Sequence, residues 1–108
     1  MNEVKLSFEK MSGLIPAVIQ DVETGEILML AFQNREAFEK TQETGEVHFF
    51  SRSRKKLWKK GETSGNVLKV IEVFVDCDDD SILIKIQHDS DLKVCHTGAR
   101  SCFFKKVS

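Results

Sequence analysis

The fold follows first from residues 14–32, which read LIPAVIQDVETGEILMLAF. Two runs rich in β-branched and aliphatic residues, Leu14–Asp21 and Glu26–Phe32, lie on either side of Glu23-Thr24-Gly25. Runs of this composition around a glycine-containing turn are typical of paired strands. We therefore predict two strands joined by a turn, and the short connection favours antiparallel pairing.

The segment after these strands predicts one short helix, Arg35–Glu43. Asn34 is a favourable N-cap, and Gly45 is suited to end the helix because glycine readily adopts the left-handed C-cap conformation. Within these limits, Ala37 and Phe38 are expected to face the core.

Three more strands are predicted further along the chain: Glu46–Ser51, Val67–Cys77 and Ser81–His88. An acidic turn joins the last two, and Val94–Phe104 is a glycine-containing loop. One helix among at least five strands predicts an α+β fold, a compact and mainly antiparallel β domain with one or two short helices.

The composition suits one globular domain over residues 1–108, with 41% hydrophobic residues and a net charge of −1. This charge gives no reason to expect a nucleic-acid or membrane partner. Residues 1–13 contain no apolar run suited to a signal peptide, and Ile27–Phe32 is far shorter than the ~20 residues of a membrane helix. We expect a soluble, cytoplasmic protein whose three cysteines do not form structural disulfides.

The end of the strand Val67–Cys77 is strongly acidic, reading DCDDD at residues 76–80. If the strand continues through this segment, Asp76, Asp78 and Asp80 lie on one face and Cys77 on the other. Carboxylate oxygens are suitable ligands for Mg²⁺. A solvated acidic turn between two strands explains the same residues.

The loop at residues 95–102 reads CHTGARSC. With Cys77, the thiols of Cys95 and Cys102 would give zinc three ligands and leave its fourth position for water, as in catalytic zinc sites. The spacing contains no CxxC pair, and cysteines buried without a metal fit it too. His96 fits a fourth ligand, a surface residue or a general acid–base.

The other two histidines, His48 and His88, lie in predicted strands, where hydrogen-bonded or half-exposed sheet residues are the simplest interpretation.

Residues 51–60 contain six basic side chains and the only tryptophan, Trp58, and Gly61–Asn66 follows. Arginine forks, hydroxyl groups and glycine-freed backbone N–H groups are components of a phosphate site. A solvated face or a nucleic-acid patch gives the same charge run. The alternation of serine with arginine favours a small phosphorylated ligand, and Trp58 either stacks on a base or packs beside Leu57.

Five motifs occur in order: HFFSRSR at 48–54, LWKKGETSGN at 57–66, DCDDD at 76–80, CHTG at 95–98 and RSC at 100–102. In this order and at these spacings they closely resemble the phosphoribosyl-AMP cyclohydrolase family, over roughly Leu14 to Phe104. The resemblance implies an enzyme of histidine biosynthesis. Such an enzyme adds water at C6 of the adenine ring of N1-(5-phosphoribosyl)-AMP, breaks the N1–C6 bond and gives a ring-opened ribonucleotide.

The resemblance also implies particular site residues. Its metal ligands would be Cys77, Cys95 and Cys102 for zinc, and Asp76, Asp78 and Asp80 for magnesium. His96 would act in proton transfer, and zinc would be held by cysteines from both subunits of a homodimer. Because the sequence reaches Ser108 soon after Cys102, we expect a single domain without the pyrophosphohydrolase domain that some relatives carry as a fusion.

The substrate contacts that we expect are polar or cationic residues together with one tryptophan and one glycine: Ser51, Arg52, Arg54, Trp58, Lys60, Ser64, Gly65, Asn66, Thr97 and Arg100. Two other classes of protein remain open. A zinc-stabilised module without enzymatic activity would bind nucleic acid through residues 52–60 and close its metal site with His96. A redox-sensing protein would form a reversible disulfide between Cys95 and Cys102 and bind no metal.

Overall fold

The computed structural model describes residues 6–108; residues 1–5, which begin the segment examined for a signal peptide, lie outside that part of the chain. In chain order its elements are a one-turn 3-10 helix (Phe8–Met11), β1 (Ile15–Asp21), β2 (Ile27–Gln33), α1 (Arg35–Thr44), β3 (His48–Ser51), β4 (Lys56–Lys59), β5 (Val70–Val75) and β6 (Ile82–Ile86). The predicted α+β class is confirmed, as are the predicted helix and all five predicted strands. Across residues 6–108, no helix is both long enough and apolar enough to cross a membrane.

Four strands form one sheet in the order β2-β1-β6-β5. β1 pairs antiparallel with β2, and β6 pairs antiparallel with β5. The two central strands, β1 and β6, are parallel, with Ala17 opposite Ile82. The sequence analysis predicts no parallel pair; this one is possible because the long stretch from β2 to β5 separates the two strands along the chain.

The basic segment, residues 51–60, contains the strand β4, which its charge pattern does not predict. β4 pairs antiparallel with β3 in a separate two-stranded sheet, with Phe49 opposite Trp58. A tight turn joins them, in which Lys55 adopts a left-handed conformation with φ 50°. The strand β4 has only four residues and a lysine at each end. It is therefore too short and too polar to show the alternation of apolar and polar residues that marks a half-buried strand.

Both predicted caps of α1 are present. The Asn34 side chain accepts a hydrogen bond from the Ala37 N–H at 2.8 Å, and the Gly45 N–H donates to the Thr41 carbonyl with Gly45 at φ 73°. Ala37 is fully buried and Phe38 packs at the margin of the core, as predicted.

The core is built from alternate residues of the two central strands. Ile15, Ala17 and Ile19 of β1 are fully buried, as are the side chains of β6 that point the same way. They pack with residues of the β3–β4 hairpin and of the loops: Val47, Phe49, Leu68, Leu92 and Val94. The hairpin is thereby held against the sheet, which positions the basic segment.

The strand β5 ends at Val75, so the prediction that alternation along a strand separates the aspartates from Cys77 is wrong. Residues 76–80 form a turn instead, with Asp79 at φ 61°. The Asp76 carboxylate stabilises it by accepting the N–H groups of Asp80 at 2.9 Å and Ser81 at 3.1 Å. The segment is thus a turn between two strands, as in the alternative interpretation, and whether its carboxylates bind a metal stays a prediction.

Candidate functional site

A large open cleft, about 1130 Å³, lies between the end of β2, the β3–β4 hairpin and the loop that carries Cys95. It brings together nine of the residues predicted for the site: Ser51, Arg52, Arg54, Trp58, Lys60, Ser64, Asn66, Cys95 and His96. Six basic side chains but only one acidic side chain, Glu62, line it. Such a cleft is electrostatically suited to an anionic ligand.

Aromatic rings support the cationic side chains of the cleft. The Arg52 guanidinium lies 4.1 Å from the centre of the Phe32 ring, and the Lys60 ammonium lies 5.8 Å from the Trp58 ring. Trp58 in turn packs on Phe49 with ring centres 5.2 Å apart. Trp58 therefore has the predicted packing role while also lining the cleft, and Phe32 is a cleft residue that the sequence analysis missed.

The turn Gly61–Asn66 depends on a close backbone approach. A Cβ atom at Gly61, whose φ is 87°, would lie 2.3 Å from the carbonyl of Asn66. The Gly65 N–H closes the turn on the Gly61 carbonyl at 2.8 Å. The Asn66 side chain accepts the Lys93 N–H at 3.4 Å, which connects the turn to the segment before Cys95.

The cysteine loop is held by backbone hydrogen bonds without regular secondary structure. The Cys95 N–H donates to the Ala99 carbonyl at 3.0 Å, and the Gly98 N–H donates back to the Cys95 carbonyl at 3.0 Å. The Cys102 N–H donates to the Leu28 carbonyl of β2 at 2.7 Å. These bonds bring Cys95 and Cys102 together against one edge strand of the sheet.

The thiols of Cys95 and Cys102 influence each other's acidity and are shifted in opposite directions. The Thr97 hydroxyl, 3.1 Å from the Cys95 sulfur, lowers the pKa of Cys95. Although Cys102 is exposed as a whole residue, partial burial of its thiol raises its pKa, and the neighbouring Cys95 thiol raises it further. Cys95 is therefore the first of the pair to become a thiolate, the form that binds metals.

His96 is exposed and lines the cleft. Its Nδ1 atom lies 4.0 Å from the Cys95 sulfur, at the outer limit of a hydrogen bond to sulfur. An exposed imidazole beside the thiol pair is accessible to a bound ligand.

The acidic turn brings three carboxylates together. Oxygen atoms of Asp76, Asp78 and Asp80 lie within 4.8 Å of one another, and within residues 6–108 no other cluster of three or more potential metal ligands is this close. The hydrogen bond from the Asp80 N–H holds the pKa of Asp76 below its usual range. The Lys10 ammonium lies 3.5 Å from Asp80, so a cation already accompanies this cluster.

Cys77 is exposed and lies far from the other two cysteines. It follows β5, whereas Cys102 is bound to β2, and β5 and β2 are the opposite edges of the sheet. Three strand spacings separate these edges, which is about 14 Å at ~4.8 Å per spacing. One copy of the chain therefore brings together two of the three predicted zinc ligands.

The remaining predicted residues have protein partners. His48 is buried in β3 with its Nδ1 atom 2.8 Å from the Glu46 carbonyl, and half-exposed His88 lies 2.7 Å from an Asp21 carboxylate oxygen. Arg100 also donates to Asp21, at 2.7 Å.

Three of the predicted substrate contacts, Gly65, Thr97 and Arg100, do not line the cleft. The carboxylate that His88 and Arg100 contact, Asp21, is a residue that the sequence analysis missed, because an acidic residue at a strand end gives no sign of burial.

Fold and cleft together define a small α+β protein that presents a thiol pair and a histidine beside a basic, partly aromatic surface. The family model described as phosphoribosyl-AMP cyclohydrolase matches residues 29–104. A phosphoribosyl-AMP cyclohydrolase of Desulfatibacillum aliphaticivorans is 60% identical over 104 residues, covering 96% of this chain and 82% of its own length. A phosphoribosyl-AMP cyclohydrolase of Trichormus variabilis is 52% identical over 111 aligned residues, covering 99% of this chain and 95% of its own length.

A longer relative, the histidine biosynthesis bifunctional protein HisIE of Aquifex aeolicus, is 56% identical over 104 residues. The match covers 96% of this chain and 50% of that protein. The chain belongs to the phosphoribosyl-AMP cyclohydrolase family.

Proposed function

We propose that this chain is an enzyme of histidine biosynthesis that hydrolyses the N1–C6 bond of the adenine ring of N1-(5-phosphoribosyl)-AMP. The observation that carries the proposal is the cleft, in which Cys95 and His96 lie beside a cluster of basic side chains. Such a substrate has a purine ring to be attacked and two phosphate groups to be neutralised. Membership of the family supports the same reaction.

The donor set of the cysteine loop fits zinc. Cys95 and Cys102 are soft donors on the same loop, and the lowered pKa of Cys95 favours its thiolate form. Because Cys77 lies at the opposite sheet edge, we infer that the third thiolate comes from Cys77 of a second copy. When bound, zinc supplies a Lewis acid that lowers the pKa of water toward neutrality.

The acidic turn fits magnesium, because three clustered carboxylates are hard oxygen ligands. Asp76 uses one oxygen for the N–H groups of Asp80 and Ser81, which leaves its other oxygen for a cation. We infer that Asp76, Asp78 and Asp80 would hold magnesium, whose charge would offset that of a phosphate group of the substrate. Since Cys77 lies within this turn, the copy that supplies Cys77 also supplies the aspartates.

Other residues of the chain would bind the substrate and transfer protons. Arg52, Arg54 and Lys60 would bind phosphate, with the guanidinium of Arg52 held in place by Phe32. His96 would take a proton from the attacking water and return one to the leaving nitrogen N1, a role for which its exposed position in the cleft is suitable.

A homodimer would complete the proposed site, and exposed apolar side chains on the sheet support this proposal. Both edge strands expose large apolar side chains, Ile27 and Leu30 on β2 and Ile71 and Phe74 on β5. Exposed apolar residues of this size on sheet edges are a common feature of protein interfaces. We also infer a cytoplasmic location, since Cys77, Cys95 and Cys102 are free thiols.

One experiment tests the proposed function. Zinc per chain is measured first, and ring opening of phosphoribosyl-AMP is then followed with and without Mg²⁺, before and after treatment with a zinc chelator. We expect turnover that the chelator abolishes and that added zinc restores. Salt-dependent RNA or DNA binding without turnover would instead support the nucleic-acid module, and a reversible Cys95–Cys102 disulfide without metal would support the redox protein.

A further inference from the structure

We propose that Asp21 is a positioning residue for the cysteine loop. Acting through Arg100, it holds Cys95 and Cys102 close together before any metal binds. The inference rests on the proposed function only in taking these thiols as metal ligands. Asp21 itself lies in β1, outside the cleft.

Asp21 is a buried carboxylate with a full set of partners. Among residues 6–108 no other acidic side chain is buried, and only 1% of the Asp21 surface is exposed. One oxygen accepts the N–H groups of Glu23 at 2.8 Å and Thr24 at 2.9 Å. The other lies 2.7 Å from His88 Nδ1 and 2.7 Å from an Arg100 nitrogen. A buried carboxylate with four fixed partners forms a rigid anchor, because losing any of them leaves an unpaired charge or dipole away from water.

Arg100 connects Asp21 to both sides of the cysteine loop. Its Nη1 atom donates to the carbonyl oxygens of Asp89 at 2.7 Å and Leu92 at 3.2 Å, in the segment before Cys95. Arg100 itself lies two residues before Cys102, and its carbonyl accepts the Val94 N–H at 3.1 Å. One guanidinium group thus connects the segment leading into the loop with the segment leading out of it.

Apart from its own backbone hydrogen bonds and the bond from Cys102 to β2, the loop has no regular secondary structure to hold it. Residues 87–108 contain no helix or strand. The second carboxylate that contacts Arg100, Glu26, has a side chain 39% exposed, so solvent weakens that ion pair. We therefore infer that the ion pair with buried Asp21 does more to fix the position of the Arg100 guanidinium than the ion pair with Glu26. Residues that orient metal ligands in this way commonly change metal affinity by about 10- to 100-fold when they are replaced.

The test uses Asp21→Asn, whose amide oxygen still accepts from Glu23 and Thr24 but carries no charge for Arg100. In metal-free protein we expect the amide hydrogens of Val94, Cys95 and Cys102 to exchange about tenfold faster than in the wild type. Zinc affinity, measured by competition with a chromophoric chelator, is expected to fall by about 10- to 100-fold. In turnover, kcat is expected to fall while KM stays close to the wild-type value.

Four variants separate positioning from a loss of general stability. Ile84→Val weakens the core but leaves the polar contacts of Asp21 and Arg100 in place, and His88→Gln removes the other partner of the same Asp21 oxygen. Both should leave zinc affinity near the wild-type value. The double variant Asp21→Asn with Arg100→Gln should bind zinc no more weakly than Arg100→Gln alone, because Asp21 acts through Arg100.

Unchanged amide exchange in the loop of Asp21→Asn would overturn the proposal. So would an equal loss of zinc affinity in Ile84→Val, or additive losses in the double variant. If the wild-type protein binds no zinc, the proposed function fails, while amide exchange in the metal-free protein still decides whether Asp21 positions the loop.

Discussion

The guanidinium carbon of Arg52 lies 4.1 Å from the centre of the Phe32 ring, so a residue of β2 fixes a cation of the β3–β4 turn. Replacing Phe32 by leucine keeps an apolar side chain but removes the ring. Since a cation over an aromatic ring contributes about 0.5–2 kcal/mol, we expect KM to rise about 2- to 30-fold with kcat little changed. Steady-state kinetics measure both.

Phe38→Leu is the matched control, because Phe38 packs against Phe8, with ring centres 6.4 Å apart, and does not line the cleft. Arg52→Ala should raise KM at least as much as Phe32→Leu. A fall confined to kcat in either variant would contradict phosphate binding by Arg52.

Gly61 and Gly65 lie in the same turn with similar backbone angles, φ 87° and 82°, but in different surroundings. Gly65→Ala introduces only the strain of a left-handed alanine, about 1–2 kcal/mol, because nothing lies within 4 Å of its Cβ. Gly61→Ala adds a backbone clash with Asn66, for a total of about 2–5 kcal/mol. Urea unfolding of both variants measures the difference. Equal losses would show that the turn rearranges to accommodate the clash.

His96→Ala is expected to keep zinc but to lower kcat by about 10²- to 10⁴-fold, the usual contribution of a general acid–base. The side chain is exposed, so stability should not change. Zinc content and single-turnover rates are the measurements. An unchanged rate would remove His96 from the mechanism, and loss of zinc would make it a ligand instead.

Sharing of the site between subunits is tested by mixing two inactive variants. Cys95→Ala is expected to lose zinc and activity together, and Cys77→Ala is expected to do the same. When equal amounts are unfolded and refolded together, half of the dimers are mixed, and each mixed dimer has one intact site. Activity should therefore return to about a quarter of the wild-type value. No recovery would mean that each site is built from one chain.

The stability of the protein should depend on pH through Asp21 and His88. Burial alone would raise the pKa of Asp21, but the hydrogen bonds from Thr24, His88 and Glu23 outweigh burial and lower it to about 2 from 3.8. The lowered pKa contributes about 2 kcal/mol of stability above pH ~4, which is lost as the pH falls toward 2.

His88 has the opposite dependence. The hydrogen bond to Asp21 raises the pKa of His88 above 6.5, so its contribution is complete below pH 6.5 and is lost as the pH rises through the raised pKa. The combined contribution should be greatest between about pH 4 and 6.5. Urea unfolding across the pH range, compared with Asp21→Asn, measures it. In that variant the NMR titration of His88 should move down in pH; an unmoved titration would contradict the pairing.

Much of the local structure was predictable because its causes lie close together in the chain. Asn34 caps α1 and Gly45 ends it, as their residue types indicate. The hairpin of β1 and β2 follows from two apolar runs around a glycine turn. The cleft residues Arg52, Lys60 and the others in the basic segment were recognisable for the same reason, since the segment concentrates them.

The predictions were wrong where one sequence pattern is compatible with two local structures. The alternation of side chains along residues 73–80 is compatible with a strand. The Asp76 carboxylate instead accepts hydrogen bonds from the N–H groups of Asp80 and Ser81, which stabilises a turn. The aspartates still meet, though on a turn. β4 was missed because its outer residues, Lys56 and Lys59, give a short strand the composition of a solvated loop.

The sequence by itself determined the helix, most of the strands and the donor types available to metals, because these depend on neighbours within a few residues. Only the tertiary structure decided which distant residues meet. Asp21 and Arg100 pair across 79 residues because β1 lies in the centre of the sheet. Cys77 is separated from Cys102 because Cys77 follows β5 and Cys102 is bound to β2, which are the two edges of the sheet. Strand order and register result from the packing of the whole core, which no local pattern specifies.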